Sequence, residues 1–284
     1  MQRSYRLIIS CPDQVGIVAA VSDFIAQHSG WITEAHQFAD PGSLWFFMRY
    51  VVKADSLPFD IDGFRQHFTP IADRFNMNWK ITDSAVKKRV ALMVSKQDHC
   101  LSDMLYHWRS RDMEFDIPCV ISNHDDLRSY VEWHDIPYHH IPVDPANKQV
   151  HFDAVKEQIE AASVDAVVLA RYMQIIPAEL CAAYPAQIIN IHHSFLPSFV
   201  GAKPYHQASE RGVKLIGATC HYVTSELDTG PIIDQDVVRI NHHNDTEDMV
   251  RLGKNVEKSV LARGVRFHLE DRVLVHANKT IVFN

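Results

Sequence analysis

Between Val90 and Ile191, short β-rich runs alternate with stretches of helical spacing, and this alternation constrains the fold more than any other feature of the chain. Val90–Ser95, Ile117–Ser122, Asp165–Ala170 and Gln187–Ile191 read as strands, with a short one at Tyr138–Ile141. Leu101–Arg109, Asp125–His134, Phe152–Ala161 and Pro177–Ala183 read as helices; Phe152, Val155 and Ile159 fall on one face of the third. The run Asp-Ala-Val-Val-Leu-Ala at 165–170 is apolar without alternation, as expected of a strand covered on both faces. Strands that take turns with helices give a doubly wound, mostly parallel α/β sheet. Val213–Val223 and Ile232–Ile240 add two later strands around a turn at Asp228, and Thr246, with Glu247 and Asp248 behind it, is expected to cap a final long helix.

The first 82 residues are organised differently. Tyr5–Ser10 is β-rich, Cys11–Gly16 is a turn, and Ile17–His28 has helical spacing through Val18, Val21, Phe24 and Ile25, stopped by Gly30. Trp31–Ala39 and Ser43–Val52 flank the turn Asp40-Pro41-Gly42, Ile61–Phe75 is a second helix, and Asn78–Thr82 closes a βαββαβ order. With Asp13-Gln14-x-Gly16 opening the first helix, this region resembles the ACT domain. The resemblance implies an amino-acid effector such as glycine or methionine near Asp13, Gln14 and Gly16, where helix N-terminal N–H groups can receive a carboxylate. A ferredoxin-like module serving only as a dimer surface fits the same order, and the two readings stay open. Thr82–Arg89, polar and without periodicity, reads as the linker. The expected organisation is an ACT-like regulatory or dimerisation domain over 1–84 and a catalytic domain over 85–284.

Composition excludes several classes. The 284 residues suffice for two modest domains. At 46% hydrophobic and 22% charged they are ordinary for a soluble protein, and a net charge of −7 disfavours a nucleic-acid surface. No apolar segment follows the Met1–Arg6 start and none has the length of a membrane span, so neither a secretory signal nor a membrane partner is expected. Five scattered cysteines without a C-x-x-C fit reduced thiols in a cytoplasm. The 18 histidines include adjacent pairs, which point to opposite faces of a strand and make poor chelators; with no zinc spacing present, no metal is expected.

Chemistry concentrates at Ile189–Phe199. Asn190 and His192, two apart at the end of an apolar run, share one strand face while Ile189 and Ile191 take the other. An amide able to donate a hydrogen bond beside an imidazole able to move a proton suits attack on a carbonyl. Asp228-Thr229-Gly230-Pro231 offers a carboxylate to the same place. If buried, Asp228 is expected to have a raised pKa. His193 should face away if the strand continues, and Ser194 lacks a nucleophile-elbow sequence.

Asn190-x-His192, Ser194-Phe195-Leu196-Pro197-Ser198 and Asp228-Thr229-Gly230-Pro231 together resemble the signature of the formyltransferases that use 10-formyltetrahydrofolate. The resemblance implies that Asn190, His192 and Asp228 are catalytic, with Asp228 either fixing the orientation of the His192 ring or holding the attacking water. It also implies that Arg171, Tyr172, Met173, Gln174 and Ile175 hold the pterin from one side and the Thr224–Asp228 loop from the other, with Met173, Ile175 and Leu196 as apolar candidates for the slot. Within that group the chain lacks the glycine-rich phosphate loop expected of a glycinamide ribonucleotide enzyme, having Val94–Leu101 without glycine instead. Its net charge of −7 and the roughly twenty residues after the last expected helix disfavour a tRNA-directed one, for which a basic surface and a further C-terminal domain are expected.

The ACT-like front, Ser95-Lys96-x-x-His99-Cys100-Leu101, Arg171-Tyr172-Met173-Gln174 and Gly201–Ala208 are similar to the formyltetrahydrofolate deformylase family. That resemblance implies hydrolysis of 10-formyltetrahydrofolate to tetrahydrofolate and formate. No cofactor is needed besides this folate substrate, the formate feeds purine synthesis and one-carbon balance, and a homo-oligomer (dimer or tetramer) is expected. An amine-directed formyltransferase of the same fold is the alternative, and a catalytically silent folate or amino-acid sensor a third.

Overall fold

A computed structural model describes residues 2–196 and 204–284. Pro197, Ser198 and the Gly201–Lys203 part of the motifs above lie outside the described residues. The chain forms two compact units. One comprises Met1–Lys87 with Asp271–Leu274 and Ile281–Asn284; the other comprises Lys88–Glu270 with Val275–Thr280. The tail therefore returns to the first unit, which a division at a single point between 84 and 85 does not express.

In the first unit β1 (Ser4–Pro12), α1 (Ile17–Gln27), β2 (Ile32–Asp40), β3 (Trp45–Lys53), α2 (Ile61–Arg74) and β4 (Asn78–Asp83) follow the expected βαββαβ order. The sheet is antiparallel, ordered β2-β3-β1-β4. Period-two alternation sends Tyr5, Leu7, Ile9 and Cys11 of β1 and Phe46, Met48, Tyr50 and Val52 of β3 into one core with Val21, Phe24, Phe64 and Phe68 of the helices. The opposite face buries Ile8 and Phe47 with Leu274 and Phe283 from the returning tail. The tail's Asp271, fully buried, accepts from Lys80 Nζ at 2.8 Å and Thr82 Oγ1 at 2.8 Å, with Arg6 at 3.6 Å. The expected linker at Thr82–Arg89 is shorter in fact: β4 runs to Asp83 and a new strand starts at Lys88, because both ends find ladder partners.

The second unit is built from β5 (Lys88–Val94), α3 (His99–Arg109), β6 (Phe115–Asp116), β7 (Val120–Ser122), α4 (Arg128–Glu132), β8 (Tyr138–His140), α5 (Lys148–Ala162), β9 (Ala166–Ala170), α6 (Ala178–Ala183), β10 (Ile188–His192), α7 (Pro204–Arg211), β11 (Leu215–Tyr222), β12 (Ile232–Arg239) and α8 (Thr246–Leu269). A final hairpin, β13 (Val273–His276) with β14 (Lys279–Val282), follows. The strand order is β12-β11-β10-β9-β5-β7-β8, with β6 beside β5. From β10 through β8 the neighbours are parallel; β10–β11 and β11–β12 are antiparallel.

Val90–Val94 and β9 are buried throughout, the consequence of helices on both faces. Phe152, Val155 and Ile159 of α5 and Leu180 of α6 close one face over Ala91, Met93, Val167 and Leu169. α8 packs on β10, β11 and β12, and beside α3. The cap of α8 is Asp245, whose side chain accepts from the Asp248 N–H at 2.8 Å; Thr246, the expected cap, is the first helical residue. Of two adjacent cap formers, the one with extended backbone takes the role. No helix among the described residues is long and apolar enough to cross a membrane.

Candidate active site

β10 sits where the sheet changes from parallel to antiparallel pairing. On one side Asn190 faces Leu169 of β9; on the other Asn190 faces His221 and His192 faces Thr219 of β11. Ligands of open α/β sheets bind beyond such carboxyl ends, and a cavity of about 280 Å³ opens there. Asn190, His192, Asp228, Arg171, Tyr172, Met173, Gln174, Ile175 and Thr224 all line it. Of the nine residues expected around catalysis and folate, together with Leu196, only Leu196 does not: it is buried, its N–H donates to Thr219 Oγ1 at 3.1 Å and its carbonyl accepts from Gln235. The turn after β10 ties the Leu196 backbone to β11 and β12.

His192 Nδ1 lies 3.3 Å from Asp228 Oδ2, while His192 Nε2 is buried and has no hydrogen-bond partner among the described residues. One nitrogen of the imidazole is thus oriented by a carboxylate, and the other is buried without a hydrogen-bond partner among the described residues, on a ring that lines the cavity. The His192 hydrogen bond holds the Asp228 carboxyl below its ordinary range, outweighing the upward push of burial. The expected rise is therefore corrected: the hydrogen bond from His192 wins over desolvation. Asp228 also has a left-handed backbone, φ 56°, as does Arg171 at φ 65°. Non-glycine residues in this region are uncommon, and two at one cavity mark a place where the surrounding structure imposes a conformation. Gly230 is the means at Asp228: a Cβ there would lie 1.8 Å from the Tyr222 carbonyl oxygen, so only glycine lets the turn close on β11.

Two histidines join the cavity that sequence reasoning passed over or turned away. His221, fully buried, receives the Asn190 Nδ2–H at Nε2 (3.2 Å), while its Nδ1–H donates to the Tyr222 carbonyl at 2.9 Å. That carbonyl can only accept, which fixes the tautomer. Burial pushes the His221 pKa down, in keeping with a neutral ring. One N–H of the Asn190 amide is so fixed, and the other is left for a ligand. Only the β10–β11 register places His221 here, and no local pattern announces a register. His193 was expected to face away, but β10 ends at His192, alternation stops, and His193 lines the cavity. Ser194 is buried, and its carbonyl accepts from Thr219 Oγ1.

Beyond Arg171 lies a buried polar cluster. Glu257 of α8, 1% exposed, accepts from His99 Nε2 and Tyr205 Oη, each at 2.8 Å, and Arg171 Nε is 3.4 Å away. A Cβ at Gly253 would lie 1.9 Å from the Tyr205 hydroxyl, so glycine in α8 opens the slot through which Tyr205 reaches Glu257. Burial pushes the Glu257 carboxyl up, but the His99 hydrogen bond, the Arg171 charge and the Tyr205 hydroxyl together bring it below its ordinary value. His99, Cys100 and Glu257 place ligand atoms within 4.8 Å of one another, a spacing open to a metal ion. A guanidinium already beside the carboxylate and a thiol kept protonated by burial suit a cation poorly.

Tyr172 Oη shares a hydrogen bond with the buried His151, and Ser95 Oγ donates to Asn123 while accepting the Met173 N–H at 3.1 Å. These bonds pin the 171–173 segment. Asp13, Gln14 and Gly16 are exposed at the start of α1, with Gly16 at φ 97°.

Comparison with known proteins places these features. Residues 88–265 match the family model described as formyl transferase. The formyltetrahydrofolate deformylase of Bacillus subtilis is 48% identical, over 98% of this chain and 93% of that protein. The crystal structure of a formyltetrahydrofolate deformylase from Pseudomonas syringae superposes with a TM-score of 0.99 at 65% identity, covering 100% of this chain and 95% of that one. A glycinamide ribonucleotide transformylase from Symbiobacterium toebii reaches a TM-score of 0.66 at 28% identity, with 95% of its own chain covering only 70% of this one.

Proposed function

The chain belongs to the formyltetrahydrofolate deformylases, within the formyl transferase family, and from that premise we propose that it hydrolyses 10-formyltetrahydrofolate to tetrahydrofolate and formate with water as the nucleophile. The observation that carries the mechanism is the His192 ring, anchored at Nδ1 by Asp228 and bare at Nε2, beside an Asn190 amide with one N–H already spent on His221.

Water attacks the formyl carbon through an oxygen lone pair and gives a proton to His192 Nε2. The carbonyl π electrons move onto oxygen, where the remaining Asn190 N–H stabilises them; one such donor is worth roughly a hundred- to a thousandfold in rate. The tetrahedral adduct then breaks its C–N bond. His192 returns the proton to the departing nitrogen, and formic acid ionises to formate. Asp228 keeps the ring in the tautomer this exchange requires and stabilises the imidazolium. The folate ring lies between the 171–175 segment and the Thr224–Asp228 loop, where Met173 and Ile175 are exposed apolar surface for it. No cofactor beyond the folate takes part.

The experiment is formate release from 10-formyltetrahydrofolate in plain buffer, with and without chelator. Release without acceptor, insensitive to chelator, is expected; formate or transfer product appearing only when an amine is supplied would instead make the chain a formyltransferase. For the first unit the proposal is an amino-acid effector, glycine or methionine, at the Asp13-Gln14-x-Gly16 turn, in a homo-oligomer. Titration of both amino acids against formate release should shift its rate; no response to either leaves the unit a purely structural module.

A further inference from the structure

We propose that His193 holds the attacking water, accepting its second hydrogen while His192 takes the first. The inference rests on the hydrolytic reading above. A water poised to add to a carbonyl must present a lone pair to carbon and one hydrogen to the base, and it keeps its orientation only if the other hydrogen also finds an acceptor. Asp228 is badly placed for this. It sits on the Nδ1 edge of the His192 ring, whereas the water belongs to the Nε2 edge.

His193 lines the same cavity, its ring centroid 5.2 Å from that of His192 and 6.1 Å from that of Tyr205. One water making two bonds of about 2.8 Å bridges atoms roughly 4–5 Å apart, a span that this ring separation allows. No hydrogen bond ties either His193 nitrogen to another described residue, so the ring is not committed to the scaffold.

Its surroundings keep it able to accept. Burial, then the Arg171 guanidinium and His192, push its pKa down to about 4, so at neutral pH one nitrogen carries a lone pair. The Arg171 guanidinium, 3.4 Å from Glu257, is the cluster's contribution to keeping a proton off His193; Glu257 and Asp228 act the other way without overcoming burial and the cation.

The test replaces His193 by phenylalanine and by leucine, which keep bulk but offer no acceptor, and by asparagine, which restores one. With wild-type protein hydrolysing in the same buffer, each apolar variant should lose kcat by about ten- to a hundredfold, the scale of one hydrogen bond, with KM within about twofold. His193→Asn should recover part of the loss. Either apolar variant suffices should the other not fold. Unchanged kcat in a folded apolar variant, a loss carried by KM, or an asparagine variant no better than the apolar ones would each overturn the assignment. A wild-type protein that releases no formate would refute the hydrolytic reading instead.

Discussion

Two carboxylates in the second unit, Asp228 in the β11–β12 turn and Glu257 in α8, are both held below the ordinary carboxylate range, and they achieve it by opposite means. Glu257 is 1% exposed, accepts hydrogen bonds from His99 in α3 and Tyr205 in α7, and has the Arg171 guanidinium after β9 as its charge partner at 3.4 Å. Asp228 is half-buried, on a left-handed backbone, with His192 at 3.3 Å and His221 at 3.7 Å, too far for a second good bond. A carboxylate whose lone pairs are filled from several elements ties the architecture together. One left partly unsatisfied at a cavity, on a backbone the fold must hold in place, is kept for chemistry.

That contrast can be broken by substitution. Asp228→Asn keeps the shape and tolerates the left-handed backbone, yet leaves His192 without its anion. Formate release should fall on the order of a thousand- to ten-thousandfold, with unfolding free energy changed by no more than about 0.5 kcal/mol. A variant that keeps its kcat would place Asp228 with Glu257 as architecture.

Glu257→Gln should do the reverse and act first on stability. It leaves the Arg171 charge buried and unpaired, a loss of about 3–5 kcal/mol read from urea unfolding; a cost under about 1 kcal/mol would remove the distinction. The smallest effect is in acid. Because both folded pKa values lie below the unfolded ones, both carboxylates contribute fully above the ordinary carboxylate range. That contribution is lost as pH falls through the depressed folded values. Unfolding free energy measured against pH should therefore decline more steeply below about pH 4.5 in the wild type than in Glu257→Gln; equal slopes would show that Glu257 is not ionised in the fold.

The same two residues show what the sequence could and could not convey. Asp228 was legible because it stands in a turn with glycine and proline beside it, and Asn190 with His192 because two-residue spacing has a local meaning in a strand. The alternation of strands and helices was legible for the same reason. Glu257 was not: on α8 it is one charge among many, and the partners that define it come from residues 99, 171 and 205. His221 needed the antiparallel register of β10 with β11, and His193 needed the point at which β10 stops. Thr246 and Asp245 are both cap formers, and only backbone conformation separates them. Periodicity is written along the chain; register, strand ends and long-range polar partners are properties of the assembled sheet.

The returning tail has a consequence for biosynthesis. Ile8 and Phe47 obtain Leu274 and Phe283 as cover, and Arg6, Lys80 and Thr82 obtain their common carboxylate at Asp271, only after everything between residues 88 and 270 has left the ribosome. An N-terminal unit of this kind cannot mature first in the usual vectorial order; a nascent chain arrested near residue 90 should carry an open apolar face that chaperones recognise, and severing the protein after residue 87 would leave the N-terminal fragment without the cover of Leu274 and Phe283.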